Sequence, residues 1–141
     1  MAADRQAGKV TRIGLRYINR IDIPLADLTK KVNGRPVLRM EDYLRFYPQF
    51  PEDVFGPSNY IAAQQRFEIG ADDCIGLLNL VSAPPALLNH MSLVLDLDIS
   101  REKSVPQNYD ALWELIERMR HHKNRLFETV ITDRSRALFQ R

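Results

Sequence analysis

The sequence predicts an α+β domain in which an antiparallel sheet of about four strands packs against a long C-terminal helix. Period-two alternation of apolar and polar residues recurs in several segments, as it does in strands. The links between the last three of these segments are short, which favours antiparallel neighbours. The last third of the chain carries an apolar stripe with helical spacing. The predicted order is β-α-α-β-β-β-α, with residues 1–9 as a flexible lead-in and residues 10–141 as one domain.

The first predicted strand, residues 10–23, has two unlike faces. One face carries Ile13, Leu15, Tyr17, Asn19, Ile21 and Ile23. The other face carries Arg12, Arg16 and Arg20, with neighbouring arginines about 13 Å apart at the usual strand rise. Because proline cannot donate to a strand ladder, Pro24 is expected to end the strand.

Two short helices are predicted next, over residues 25–31 and 40–50. A turn is expected between them at Asn33–Gly34, a dipeptide typical of turns. The second helix is expected to end near Pro48, because the residue before a proline disfavours the helical conformation. Residues 51–59 are expected to form a loop.

Three further strands are predicted at residues 60–70, 74–83 and 90–100. Residues 74–83 are apolar on both sides, which is typical of a central strand covered on both faces. The last strand alternates apolar residues with a polar set that includes Asp96 and Asp98. These carboxylates are candidates to share a sheet face with the arginines of the first strand.

A long helix is predicted to follow Gln107 or Asn108, either of which is suited to its N-terminal cap. Its apolar stripe consists of Leu112, Leu115, Ile116, Met119, Leu126, Phe127 and Val130. Thr132 is expected to cap a short final helix over residues 133–140. The long helix is therefore expected to lie on the sheet.

Composition excludes several classes of protein. The formal net charge of +2 argues against a nucleic-acid binder that relies on overall charge. The single cysteine, Cys74, excludes an internal disulfide and a cysteine-based zinc cage, and fits a reducing compartment. The first ten residues lack the apolar segment of a secretory signal, and no apolar run has membrane-spanning length. We expect no metal, no cofactor and no membrane partner.

The arginine row has a structural and a functional interpretation. Cross-strand pairs with Asp96 and Asp98 explain it without a ligand, and we favour this interpretation. The alternative is a weak nucleic-acid surface formed by Arg12, Arg16 and Arg20. The two carboxylates also have the spacing to hold Mg²⁺ or to act in acid–base chemistry, which we disfavour beside three arginines.

A small-molecule site is a second functional hypothesis. Lys123 falls inside the apolar stripe of the long helix, where it must reach solvent, pair with an acid or line a cavity. Asn19 and Asn79 interrupt otherwise apolar strands, and buried asparagines must be hydrogen-bonded. Together with Tyr17 they predict a pocket between sheet and helix for an anionic ligand.

The leading hypothesis is a non-enzymatic interaction or assembly module. Trp113 and Ile131 widen the apolar stripe beyond what one sheet face needs, which favours a partner surface formed by Trp113, Phe127 and Ile131. The expected partner is a second copy of the chain or a missing N-terminal domain. No nucleophile elbow, phosphate loop or paired-cysteine motif indicates an enzyme.

Two segments, RIGLRYINRI (12–21) and LFETVITDRSRALF (126–139), resemble the carboxy-terminal half of a sporadically distributed family of uncharacterised bacterial proteins. The resemblance implies a bacterial, cytoplasmic protein with no assigned activity, and this chain would be either a fragment or a short member of that family. The predicted order of elements also resembles the helix-grip fold, in which a sheet wraps around a long last helix. This second resemblance implies a cavity beneath that helix.

Overall fold

The computed structural model of this chain describes residues 8–140, and an antiparallel sheet lies at its centre. The strands are β1 (Ile13–Pro24), β2 (Lys31–Val32), β3 (Arg35–Pro36), β4 (Ala62–Ile69), β5 (Cys74–Ala83) and β6 (His90–Arg101). β2 and β3 pair with each other, and the other four strands form one sheet in the order β1-β6-β5-β4. All neighbours in this sheet are antiparallel, which confirms the predicted fold class. Most of the predicted lead-in, residues 1–7, lies outside the described residues.

The helices are α1 (Glu52–Phe55), α2 (Tyr109–Val130) and α3 (Asp133–Phe139). The Asn108 side chain accepts hydrogen bonds from the backbone N–H groups of Asp110 and Ala111, and so caps α2. Thr132 caps α3 in the same way through the N–H of Ser135. Both caps confirm the sequence-based expectation. Within residues 8–140, no helix has the length and apolar character to cross a membrane.

The hydrophobic core lies on one face of the sheet only. Cross-strand partners point to the same side, so the register groups Ile21 of β1 with Leu93 of β6 and with the even-numbered residues of β5. This covered face packs against α2, α3 and the segment that follows β1, and its buried residues include Leu78, Leu80 and Leu95. We call the opposite side the bare face, because none of its side chains belongs to either core cluster of the described residues.

The expectation that residues 74–83 are covered on both faces is therefore wrong. Cys74, Gly76, Leu78 and Leu80 are buried, whereas the odd-numbered residues of β5, such as Leu77, are only partly buried. The reason is topological: α2 and α3 both follow β6 and both pack on the same side of the sheet.

The two short predicted helices do not form. Residues 25–31 make a single 3-10 turn, Leu25–Asp27, and then enter the hairpin β2–β3 around Asn33 and Gly34. Both hairpin-turn residues have positive φ, as the tight turn requires.

Residues 40–50 contain one 3-10 turn, Met40–Asp42. The backbone of the next residues bonds instead to the end of α2, where Leu44 forms a bridge with Ile131. The predicted loop at 51–59 contains the one-turn helix α1.

The strand order leaves β1 and β4 as the two outer strands. β1 pairs with β6 from Ile13↔Arg101 to Pro24↔His90. β4 pairs with β5 from Ala62↔Val81 to Ile69↔Cys74, without a bulge. Each outer strand therefore has one edge with no neighbouring strand among the described residues.

Candidate functional site

The arginines of the first strand are paired with acids on the bare face. Arg16 donates from Nε and Nη2 to both carboxylate oxygens of Asp96, with a shortest distance of 2.6 Å between Nη2 and Oδ2. Asp96 reaches Arg16 because β6 is the neighbour of β1. For Arg16, the central arginine of the row, the structure therefore supports the interpretation as a cross-strand ion pair.

The two flanking arginines are also engaged. Arg12 lies just before β1, and its guanidinium is 3.4 Å from Glu102 and 3.9 Å from Asp98. Arg20 donates to Asp22 at 3.1 Å and to the carbonyl of Pro84. Because all three guanidinium groups already face oxygen acceptors, the row presents little unpaired positive charge to a phosphate backbone.

The predicted ligand pocket is not assembled. The register places Asn79 on the bare face, where its Oδ1 accepts from Gln64 Nε2 at 2.6 Å. Asn19 lies on the covered face, is 8% exposed, and its Nδ2 has no hydrogen-bond partner among the described residues. The two asparagines therefore point to opposite sides of the sheet and cannot line one pocket. The prediction that Asn19 and Asn79 line one pocket is therefore wrong. It depended on a strand order that the sequence does not reveal.

Lys123 lies over an aromatic ring. Its Nζ is 4.6 Å from the centroid of the Tyr17 ring, which is a cation–π contact. Tyr17 also meets Phe127 edge to face, with 5.8 Å between ring centroids. The lysine inside the apolar stripe is thus accommodated at the edge of the sheet by an aromatic partner.

Two of the open cavities in the described part of the chain lie away from this cluster. The larger, of about 460 Å³, is lined by residues that include Lys30, Arg39, Tyr47 and Phe50. The smaller, of about 280 Å³, lies between the loop before β6 and α3. Neither is lined by Tyr17, Asn19, Asn79 or Lys123.

Of the three predicted interface residues, only Trp113 lies substantially at the surface. It is 45% exposed and meets Tyr109 edge to face at 6.0 Å. Phe127 is partly buried between Tyr17 and Phe139. Ile131 is 1% exposed, so its assignment to a partner surface is wrong. The reason is that Ile131 bridges to Leu44, a contact between segments far apart in sequence.

A cluster that sequence reasoning missed ties the β4–β5 turn to α2. The Asp72 carboxylate accepts from Arg118 Nε at 2.8 Å and lies 2.6 Å from His122 Nε2. These hydrogen bonds, the one to His122 first, hold the pKa of Asp72 below its usual value. The Asp72 carbonyl accepts from Arg101 Nη1 at 3.0 Å. Arg118 and His122 are four residues apart and share a helix face, which is the only part of this cluster visible in the sequence.

The thiol of Cys74 lies beside this cluster, but its surroundings do not favour reactivity. Cys74 is buried, and its Sγ donates to the Asp72 carbonyl at 3.3 Å. Burial raises the pKa of the thiol, which opposes formation of the nucleophilic thiolate. The cluster of Asp72, Arg118 and His122 is therefore best described as a structural latch.

The outer strand β4 carries two charged side chains that form no ion pair with any other described residue. Arg66 and Glu68 are exposed on the bare face, and neither forms an ion pair within residues 8–140. Gln64 and Gln65 are also exposed, so much of the strand is open to solvent. This differs from β1, whose arginines are all engaged.

No family model, curated protein or solved structure matches this chain.

Proposed function

We propose that this chain is a non-enzymatic assembly domain that forms a homodimer. The observation that supports this is the outer strand β4, which is eight residues long, contains no proline and has no neighbour on its outer edge among the described residues. An unpaired strand edge is a template for another strand, and natural proteins usually protect it. A second copy supplies an identical edge, and such a contact is symmetric and closes at two subunits.

The peptide groups of β4 supply the contact. The carbonyl of Ile61 accepts from Ser82 N at 2.9 Å, so Ile61 points its peptide groups toward β5. Because orientation alternates along a strand, the peptide groups of Gln64, Arg66 and Glu68 point outward. No hydrogen bond within residues 8–140 engages these outward groups through another element. They remain available for a second copy.

The competing functions have less support. Arg12, Arg16 and Arg20 face oxygen acceptors, which argues against nucleic acid. Asp96 is occupied by Arg16, which argues against a metal or acid–base role for that carboxylate. Lys123 contacts Tyr17, but Asn19 and Asn79 lie on opposite faces of the sheet, which weakens the anionic-ligand hypothesis.

We further propose a bacterial cytoplasmic setting for this dimer. The support is the resemblance of residues 12–21 and 126–139 to a bacterial family, together with the single buried cysteine. A lone buried thiol needs no oxidising compartment.

Light scattering over a concentration series tests the proposal. We expect the molar mass to rise from that of a 16.3 kDa chain towards twice that mass as concentration increases. Glu68→Pro removes one outward N–H without removing a bond to β5, so it should shift the chain to monomer with an unchanged circular dichroism spectrum.

Two variants serve as controls for the light-scattering experiment. Glu68→Gln keeps the N–H and removes only the charge, so it should weaken the dimer less than Glu68→Pro does. Trp113→Ala, at the other exposed candidate surface, should leave the mass unchanged. A wild-type chain that stays monomeric at every concentration would contradict the proposal, as would a dimer that Trp113→Ala dissociates.

A further inference from the structure

We infer that two copies pair antiparallel through β4, with the two-fold axis at Phe67, so that Arg66 of each copy faces Glu68 of the other. This inference rests on the proposed homodimer and specifies the register of its interface.

Main-chain geometry restricts the possible registers. Even-numbered residues of β4 point their peptide groups outward, so even-numbered residues must pair with even-numbered residues. In a symmetric antiparallel pair, the two-fold axis therefore passes through a residue of β4. The candidates near the middle of the strand are Gln65, Arg66, Phe67 and Glu68.

Charge selects one of these candidates. An axis at Arg66 or at Glu68 sets that charge directly against its own copy, and like charges directly opposite each other destabilise a sheet. An axis at Gln65 leaves both charged residues opposite uncharged ones. An axis at Phe67 sets each Arg66 opposite a Glu68, which forms two reciprocal ion pairs and about four main-chain hydrogen bonds. Both side chains are exposed and have no other ion pair within residues 8–140.

Packing at Phe67 also fits this axis. Residues at the axis form a pair without main-chain hydrogen bonds, in which the strands lie closest and side chains need room. The Phe67 ring lies over Gly76 of β5, so closely that a Cβ atom on that glycine would overlap the ring. The Phe67 ring therefore packs on β5 of its own chain and does not fill the space at the two-fold axis.

The charges of the other outer strand are already paired within one chain. The backbone N–H of Leu25 donates to the carbonyl of Asn89 at 2.9 Å, so odd-numbered residues of β1 point to β6 and even-numbered ones point outward. An axis at Ile18, in the middle of that outward set, would set Arg16 against Arg20 of the second copy. An axis at Ile21 would set Arg20 opposite Asp22, but these two side chains already form an ion pair within one chain. Charge therefore favours β4 over β1 as the edge that pairs.

A charge-reversal series tests the register. Arg66→Glu and Glu68→Arg each turn both ion pairs into like-charge pairs, and we expect each to raise the dimer dissociation constant at least about tenfold. The double variant Arg66→Glu/Glu68→Arg restores both pairs and should return the constant to within about threefold of wild type. Arg35→Glu, an exposed reversal in β3, controls for net charge and should leave the constant unchanged.

The outcomes separate this inference from the proposed function. Loss in both single variants with rescue in the double variant supports the register. A wild-type dimer that both single variants leave intact overturns the register but keeps the dimer. Weakening in the single variants without rescue also overturns the register. A wild-type monomer at all concentrations overturns both statements.

Discussion

The two outer strands of the sheet differ in how their charges and edges are satisfied. β1 is twelve residues long, and its central arginine is held by Asp96 of the neighbouring strand. β4 is eight residues long, and its Arg66 and Glu68 have no ion pair within residues 8–140. β1 is also packed by α2 and α3, whereas β4 contributes only partly buried residues to the covered face.

This contrast indicates which of the two outer strands has its charges paired within one chain. A row of like charges with internal partners discourages self-pairing, which is one way that proteins protect an outer strand. An arginine and a glutamate two residues apart that form no ion pair within residues 8–140 have the opposite effect, because antiparallel self-pairing brings them together. We therefore propose that β4 pairs with a second copy of the chain and that β1 does not.

The largest expected effect in the single chain comes from Gly76, the residue of β5 over which the Phe67 ring of β4 lies. Gly76→Ala forces the Phe67 ring off β5 and should lower the free energy of unfolding by about 1–3 kcal/mol. The measurement is chemical denaturation at a protein concentration where the chain is monomeric. Adding Phe67→Ala removes the overlap, so the double variant should be no less stable than Phe67→Ala alone. If the losses of unfolding free energy from Gly76→Ala and Phe67→Ala simply added in the double variant, that result would contradict this packing.

The latch at the end of β4 predicts a smaller, pH-dependent effect. Asp72→Asn removes a charged acceptor of Arg118 and His122 and should cost about 1 kcal/mol at neutral pH. The folded-state pKa of Asp72 is lowered, so its contribution is present above the unfolded pKa of about 4 and is lost as pH falls through the lower folded-state pKa.

Denaturation of wild type and Asp72→Asn from pH 7 to pH 2 checks this sign. The difference in their free energies of unfolding should shrink below about pH 4. A difference that stays constant down to pH 2 would show that Asp72 does not act through its charge.

The smallest effect compares the two strands directly. Arg16→Gln breaks an exposed ion pair with Asp96 and should destabilise the monomer slightly. Arg66→Gln breaks no ion pair within residues 8–140 and should change monomer stability by less than about 0.5 kcal/mol. The dimer should respond in the reverse order, because only Arg66 lies at the proposed interface. Matched losses of dimer affinity in the two variants would contradict the distinction between the strands.

Much of the fold was predictable because its strongest signals are local. The apolar run of residues 74–83 matches the observed bounds of β5, Cys74–Ala83, and the period-two pattern of residues 90–100 placed β6 within one residue of its observed end. Asn108 and Thr132 marked both C-terminal helices, because a capping side chain acts within three residues of its own position.

The errors concern contacts between distant segments. Residues 40–50 have helical spacing, but the backbone near Leu44 bonds to the end of α2, about ninety positions along the chain. The grouping of Asn79 with Asn19 was wrong because the sheet face on which each side chain lies depends on strand order and register. The latch at Asp72 was missed for the same reason, since its partners are 46 and 50 residues away. The free edge of β4 likewise follows from strand order alone.

Hydrogen exchange of individual backbone amides at low and high protein concentration tests the difference between the two edges most directly. At high concentration, the outward amides of Arg66 and Glu68 on β4 should gain protection, while those of Arg16, Ile18 and Arg20 on β1 should not change. Protection that appears on β1 instead, or no concentration dependence at β4 where light scattering detects a dimer, would contradict the assignment of β4 as the assembly edge.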